Sequence, residues 1–210
     1  PSVGGPCGDA SSVEVGVKFR ASVPGTITGI RFYKDAANTG THTGSLWTST
    51  GTQLATATFS NETASGWQEV TFSSPVTITP GVTYVASYYA PAGNYTFSAN
   101  TFTGAGVTNA SNTLTALQSG VDGSNGVYLV QFGGGFPTSS FNDANYWVDV
   151  TFRPSAGINL FSLTSITSAA GCVTTGSPLD TAAVSITQVD ATAVITNVLC
   201  NGATTGAITV

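Results

Sequence analysis

Short runs of alternating apolar and polar residues, separated by turn residues, constrain this chain more than any other feature. From Asn38 to Phe72, two such runs, Ser45 to Thr48 and Gln53 to Phe59, flank the turn Ser49-Thr50-Gly51-Thr52, and a third covers Gln68 to Phe72. A period of two is typical of half-buried strands, and this spacing predicts a β-meander. The sequence contains no window of sustained helical apolar spacing, so we expect an all-β protein.

The same alternation recurs on both sides of the meander. The further predicted strands are Val13 to Arg20, Ile27 to Lys34, Val76 to Ile78, Thr83 to Tyr89, Asn94 to Ser98, Val127 to Phe132 and Asn145 to Phe152. The remainder of the stretch from Ala90 to Gly126 is rich in Asn, Gly, Ser and Thr, and we interpret it as a long loop. About eight to ten strands with frequent turns predict a jelly-roll-like β-sandwich.

The composition changes after Phe152. Arg153-Pro154-Ser155-Ala156-Gly157 has the character of a boundary, and the residues beyond it have almost no aromatic side chains. The short predicted strands there are Ile158 to Ile166, Ala182 to Gln188, Ala191 to Leu199 and Ala207 to Val210. We therefore expect an N-terminal lead at residues 1–10, a β-sandwich domain at 11–153, and a small, incomplete immunoglobulin-like β repeat module at 154–210.

Charge and composition exclude several classes of function. The net charge is −5, with only five Lys and Arg residues, which argues against nucleic acid as a partner because a phosphate backbone requires clustered cations. No apolar run approaches the roughly 18 residues that span a bilayer. The chain has no methionine, so we interpret it as a mature or excised part of a longer protein.

The three cysteines indicate a compartment. Cys7, Cys172 and Cys200 form no CxxC pair and no spacing typical of a zinc site. In a Thr- and Ser-rich chain with few lysines, an oxidising exterior is the better interpretation. A disulfide between Cys172 and Cys200 would be worth about 3 to 4 kcal/mol on the chain-entropy estimate. Either could instead pair with Cys7 or with a cysteine of another segment.

Several motifs in order resemble a bacterial family of domains of unknown function. They are VEVGVKF, GTITGIRFYK, THTGSLWTSTGTQLATATF, GWQEVTFSSPVTITPGVTYVASYYAPAGNY, GGGFP and NYWVDVTF. The resemblance covers about residues 11–152. That family recurs in large secreted and surface proteins, beside immunoglobulin-like, cadherin-like and polysaccharide-degrading modules. The resemblance therefore implies an accessory extracellular β-sandwich and names no reaction.

The C-terminal residues carry a second resemblance. VSITQVDATAVITNVLCNGATTGAITV is similar to the opening of the repeats in SprB-type gliding-motility adhesins of Bacteroidetes, in which a Cys-Asn-Gly turn precedes a Gly-x-Ile strand. Asp180-Thr181-Ala182 also resembles the short acceptor of Bacteroidetes O-glycosylation. This resemblance implies a cell-surface glycoprotein, with Thr181 as the candidate modified residue.

The sequence offers no catalytic constellation. It lacks a Gly-x-Ser-x-Gly elbow, and its one histidine, His42, has neither a second histidine nor an acidic residue close in sequence. We therefore expect a non-catalytic extracellular module of a bacterial surface protein, acting in adhesion or glycan binding or as a structural unit of a surface filament. The alternative is an accessory carbohydrate-binding module of a secreted polysaccharide-degrading enzyme. The expected partners are a surface glycan or neighbouring protein modules or subunits.

Aromatic residues beside polar ones give the candidate glycan site. A sugar ring stacks its C–H face on an aromatic side chain while its hydroxyls bond amides and hydroxyls. If Leu46 and Val148 face the core, alternation places Trp47 and Trp147 on the outer side. The candidate ligand-binding residues are His42, Trp47, Trp67, Tyr88, Tyr89 and Asn94. The alternative is that a neighbouring module or subunit covers the same aromatics and no sugar binds.

Acidic residues suggest one ion. Asp9 and Glu14 near the N-terminus and Asp149 on the last predicted strand could together hold a structural calcium. Cross-strand ion pairs with Lys18, Arg20 and Arg153 would satisfy Glu14 and Asp149 equally well. The polar loops that contain Asp122 and Asp143 are further candidates for calcium. No cofactor is required for the expected function.

Overall fold

The computed structural model describes residues 4–155 and, beyond them, the backbone of residues 158–162, 165–167, 173–175, 181–185, 194–195 and 208–209. Every regular element in these residues is a β-strand, which confirms the predicted all-β class. None of them forms a helix long and apolar enough to cross a membrane. The chain divides into two compact units, Pro1–Ser155 and Ala156–Val210.

Thirteen strands form the first unit. They are β1 Gly5–Pro6, β2 Val13–Ala21, β3 Gly25–Lys34, β4 Thr43–Thr48, β5 Gln53–Thr58, β6 Gly66–Ile78, β7 Tyr84–Ala90, β8 Thr96–Phe97, β9 Val107–Thr108, β10 Leu114–Ala116, β11 Val127–Val130, β12 Ser139–Ser140 and β13 Val148–Pro154.

Two antiparallel sheets build this unit. In the large sheet the order is β12-β11-β2-β7-β4-β5, and the hairpin of β9 and β10 joins it through pairing of β10 with β2. In the small sheet the order is β13-β3-β6. A two-stranded ribbon of β1 and β8 completes the unit. Because β2 and β3 are consecutive yet lie in different sheets, the chain crosses between the sheets from its first long strands onward.

The inner faces of the two sheets form one core. Val15 from β2, Tyr88 from β7 and Phe32 from β3 are all fully buried there. Phe32 stacks on Tyr88 across the interior, with 4.1 Å between the ring centroids. Burial of alternate apolar residues from two facing sheets is the main stabilising term in such an architecture, and it confirms the predicted sandwich.

The outer face of the large sheet is partly covered by residues 131–137, which we call the glycine strap. Beneath it, Trp47, Val85 and Val127 form a second buried cluster, and Phe136 of the strap packs on Trp47 at 5.7 Å. Gly134 has a φ of 74°, and an added Cβ would lie 2.5 Å from a carboxylate oxygen of Glu14. The strap can approach the sheet this closely because that position is glycine.

Several segments differ from the predicted strands, and two of the differences affect the longer elements. Residues 107–116, predicted as loop, contain the hairpin of β9 and β10. The predicted strands Gln68 to Phe72 and Val76 to Ile78 are parts of a single strand, β6, which continues through Pro75. Proline cannot donate to a ladder, and β6 tolerates it because this strand lies at the edge of the small sheet.

The described residues of the second unit form three strand pairs. β14 Ile158–Ser162 pairs with β17 Thr181–Ser185, β15 Ser165–Thr167 pairs with β16 Val173–Thr175, and β18 Val194–Ile195 pairs with β19 Ile208–Thr209. Thr181 opens β17. The disulfide candidates Cys172 and Cys200 lie outside the described residues, as does the side chain of Thr181.

Candidate functional site

A groove of about 470 Å³ opens between the hairpin of β9 and β10 and the edge strand β13. Apolar side chains from β2, β10 and β13 line it, among them Phe19, Leu114 and Val150. Polar residues of the hairpin, including Asn109, lie on its wall, together with Asn145 just before β13. Its volume is within the range of roughly 300–1,000 Å³ that is usual for small-molecule sites.

Trp147 lines the groove in a strained backbone conformation. Its φ is 54°, a region that costs an L-residue about 1 to 2 kcal/mol. Several bonds hold it there: its backbone N–H donates to Asn145 Oδ1 at 2.9 Å, its indole N–H donates to Ser98 Oγ at 3.1 Å, and its carbonyl accepts from the Tyr33 N–H at 3.0 Å. Such strain concentrates at functional sites, and it fixes this side chain at the start of β13.

Trp67 also lines the groove and is the exposed tryptophan of the described residues. Its side chain is 41% exposed, whereas Trp47 and Trp147 are buried. The guanidinium carbon of Arg31 lies 4.8 Å from its ring centroid, and the ring of Tyr33 meets it edge-on at 5.8 Å. These neighbours hold the indole in place on the outer face of the small sheet.

Charged residues form a row across this outer face. The register pairs Arg31 of β3 with Glu69 of β6 on one side and with Asp149 of β13 on the other. The Arg31 guanidinium lies 3.7 Å from the Glu69 carboxylate and 4.0 Å from that of Asp149. Asp149 Oδ1 also accepts the Val150 N–H at 2.8 Å. Among the groove-lining residues Asp149 is the one with a charged side chain.

Most of the predicted aromatic site is not available for stacking. Tyr88 is in the core, Tyr89 lies under the glycine strap, and Trp47 is covered by Phe136. Alternation places Trp47 correctly on the outer side of its strand, but the chain's own strap covers it. Asn94 adopts a φ of 52° in a turn and donates to the Ala92 carbonyl at 3.0 Å. Of the predicted set, only Trp67 lies at the groove.

His42 is fully buried, which corrects its predicted surface position beside Trp47. Its Nδ1 lies 2.9 Å from both carboxylate oxygens of Glu62, and its Nε2 lies 2.8 Å from Asn38 Oδ1. Lys34 donates to Glu62 at 2.7 Å. Burial lowers the pKa of His42, while the hydrogen bond and charge of Glu62 act in the opposite direction. Sequence reasoning missed this acidic partner because it is distant along the chain.

The three calcium candidates do not converge. Glu14 is buried under the strap on the large sheet, where it accepts a hydrogen bond from Ser87 Oγ, and burial raises its pKa to about 7. Asp149 lies on the small sheet and faces Arg31. It therefore forms an ion pair, as the alternative predicted, but its partner is Arg31 and not Arg153. Asp9 accepts the Ser11 N–H at 2.8 Å in the N-terminal lead. Residues 4–155 contain no group of three or more His, Cys, Asp or Glu side chains placed to hold a metal.

The other predicted ion pairs also differ from expectation. Arg20 lies 3.6 Å from the Asp122 carboxylate, and Lys18 donates to the Asp122 carbonyl at 2.7 Å, so neither cation pairs with Glu14. Asp143 accepts from Ser119 Oγ at 2.6 Å and from Thr103 Oγ1 at 3.1 Å. Among the residues that the structure describes, Cys7 is the one cysteine, and its thiol is free there. The Asp122 contacts tie a loop to β2, and the Asp143 contacts join loops to one another.

Comparison with known proteins identifies a family and no activity. Among curated proteins, none matches this sequence. A family model described as a domain of unknown function, DUF4082, matches residues 2–148. The matched residues include nearly the whole sandwich, with both groove tryptophans, and end at the first residue of β13. The chain therefore belongs to the DUF4082 family.

Proposed function

We propose that the sandwich is a non-catalytic module that binds glycans in the groove between the β9–β10 hairpin and β13. One observation carries the proposal: Trp67, the exposed tryptophan, lines a groove together with Trp147 and a polar wall. An indole offers a flat apolar face to the C–H side of a sugar ring. Asn145 and Asp149 supply the amide and carboxylate groups that sugar hydroxyls require.

The same lining supports a binding role over hydrolysis. Glycoside hydrolysis generally uses two carboxyl groups, about 5 to 10 Å apart, on either side of the scissile bond. Asp149 is the groove's one lining carboxylate, and the Arg31 guanidinium lies beside it. Neither the fully buried His42 nor its partner Glu62 lines the groove. The lining thus offers a surface for recognition.

The setting we propose is the bacterial cell surface. It is supported by the Thr- and Ser-rich composition with few charged residues and by the resemblance of residues 184–210 to repeats of SprB-type adhesins. In that setting the module would serve adhesion, as one unit of a longer surface protein of a Bacteroidetes-like host. The groove would serve equally in an accessory module of a secreted polysaccharide-degrading enzyme.

Binding to a broad glycan array, followed by titration of the ligands found, tests the proposal. Trp67→Ala should weaken binding roughly tenfold or more, because loss of stacking by about 1.4 kcal/mol corresponds to tenfold in affinity. Trp67→Phe should retain part of the affinity, since a smaller ring still stacks.

Phe132→Ala is the matched control. Phe132 is 91% exposed but lies on the glycine strap and does not line the groove, so its removal should leave binding unchanged. An array without signal, or a titration in which Trp67→Ala binds like the unmodified protein, would contradict a glycan site at this groove.

A further inference from the structure

The charged side chains beside the groove favour one class of glycan over another. Arg31 is the cation that packs on Trp67, and it has carboxylates on both sides, Glu69 at 3.7 Å and Asp149 at 4.0 Å. One positive and two negative charges give this row a net charge of −1. The lining of the groove itself includes Asp149 and no Lys or Arg.

Carboxylates lie on two sides of the Arg31 guanidinium. Glu69 is closest to Nε, Asp149 is closest to Nη1, and the guanidinium carbon lies over the indole ring of Trp67. A guanidinium is the group that usually recognises a carboxylate or sulfate, through two parallel hydrogen bonds. Here two of the protein's own carboxylates already balance the charge of the guanidinium, so it attracts an anionic ligand less.

We propose that the groove binds uncharged glycans and discriminates against glycans that carry carboxylate or sulfate groups, and this rests on the glycan-binding function proposed above. Asp149 is the selective element. A carboxylate only accepts hydrogen bonds, so it accepts from sugar hydroxyls and repels another anion. Its Oδ1 is held by the Val150 N–H, which fixes its position near the start of β13.

The charge of the whole chain acts in the same direction. The formal net charge is −5 at pH 7, so a polyanionic glycan is repelled on approach as well as in the groove. Repulsion between exposed charges is screened by salt, with a Debye length of about 10 Å at 0.1 M. Affinity for an uncharged glycan should therefore hardly depend on salt, whereas exclusion of an anionic glycan should weaken as salt is raised.

The experiment compares uncharged polysaccharides (a glucan and a galactomannan) with anionic ones (polygalacturonate and a sulfated galactan), by affinity electrophoresis and calorimetry at low and high salt. The full chain should bind at least one uncharged polymer, and the anionic polymers roughly tenfold or more weakly at low salt. Asp149→Asn keeps an acceptor for the Val150 N–H and removes the charge. Asp149→Asn should reduce the difference in affinity between uncharged and anionic polymers several-fold.

Asp35→Asn is the matched control, because it makes the same change in net charge at a loop residue outside the groove lining. It should leave the difference between the polymers unchanged. Two results would overturn this inference and leave the glycan site standing. One is that anionic glycans bind as tightly as uncharged ones at a site that depends on Trp67. The other is that Asp149→Asn leaves the preference for uncharged polymers unchanged. Absence of binding to every polymer would overturn both.

Discussion

At the scale of single residues, a buried carboxylate joins the glycine strap to the sheet. Glu14 is 2% exposed and accepts a hydrogen bond from the Ser87 hydroxyl. The Ser87 oxygen in turn accepts a hydrogen bond from the indole N–H of Trp47 at 2.8 Å. Desolvation raises the pKa of Glu14 to about 7, against the smaller effects of hydrogen bonds from Ser87 and the Gly135 backbone. A carboxylate buried in this position makes the fold sensitive to pH.

We expect the free energy of unfolding to fall as pH is raised from about 5 to 8. The folded state keeps the Glu14 proton up to about pH 7, whereas the unfolded chain releases it near the ordinary glutamate pKa of 4.5. The stabilisation is therefore complete below pH 4.5 and is lost as pH rises through 7, by an amount on the order of 3 kcal/mol. Urea unfolding at several pH values measures this fall.

Glu14→Gln should flatten that fall, because its amide oxygen still accepts from Ser87 and the side chain does not titrate. Asp35→Asn should retain the full pH dependence. An unmodified protein whose stability is constant from about pH 5 to 8, or a Glu14→Gln variant with an unchanged slope, would show that Glu14 is not the responsible group.

Residue identities alone cannot distinguish the two kinds of tryptophan in this chain. Alternation correctly puts Trp47 on the outer side of its strand, yet its burial depends on the strap, a segment distant along the chain. The sequence likewise predicts His42 as an accessible ligand-binding residue, because its partner Glu62 is brought close only by the fold. Trp67 stays exposed because it lies at the start of an edge strand, a position that is likewise known only from the fold.

At the scale of elements, the long alternating strands are predictable and the short ones are not. The predicted strand Val13 to Arg20 is β2 to within one residue, and Ile27 to Lys34 is the greater part of β3. Their apolar residues recur with period two because one face is buried. The β9–β10 hairpin has two and three residues per strand, too few for a periodic signal, and it forms by pairing with β2. The groove therefore could not be predicted.

Alanine substitutions at two glycines of the strap should differ in their cost to stability. Gly133 and Gly134 both have positive φ, 86° and 74°, so alanine at either position costs about 1 to 2 kcal/mol through the backbone. Only at Gly134 would the new Cβ also contact Glu14 and Tyr89, whereas nothing lies within 4 Å of it at Gly133.

Gly134→Ala should therefore destabilise the protein by about 1 to 3 kcal/mol more than Gly133→Ala, the additional cost being that of overpacking. Chemical denaturation of the two variants in parallel measures the difference. Equal destabilisation would show that the strap can move away from the sheet without cost, and that its close packing on Glu14 adds nothing to stability.

At the scale of the whole molecule, the two sheets share one main hydrophobic core in the part of the chain whose side chains the structure describes, residues 4–155, and this part lies within the first compact unit. β13, the last strand of this unit, closes the small sheet by pairing with β3 from Val148↔Phe32 to Pro154↔Gly25. A unit with its own core and its last strand in place is expected to fold independently.

Residues 1–155 expressed alone should therefore unfold in one cooperative transition, with a midpoint within a few degrees of that of the same unit in the full chain. Calorimetry of both proteins provides the comparison. A fragment ending at residue 147, without β13, should fail to show that transition. A 1–155 fragment that is unfolded or aggregated would mean that the second unit stabilises the first.

The hydrogen bond between the Val150 N–H and Asp149 Oδ1 has a consequence for how copies of this protein behave at high concentration. Within residues 4–155, β13 has β3 as its one neighbour, so it is a free sheet edge of the kind that recruits strands from other molecules into aggregates. The carboxylate occupies one donor of that edge and places a negative charge along it. A strand of another molecule that paired there would have to break this hydrogen bond, so Asp149 disfavours edge-to-edge association at Val150.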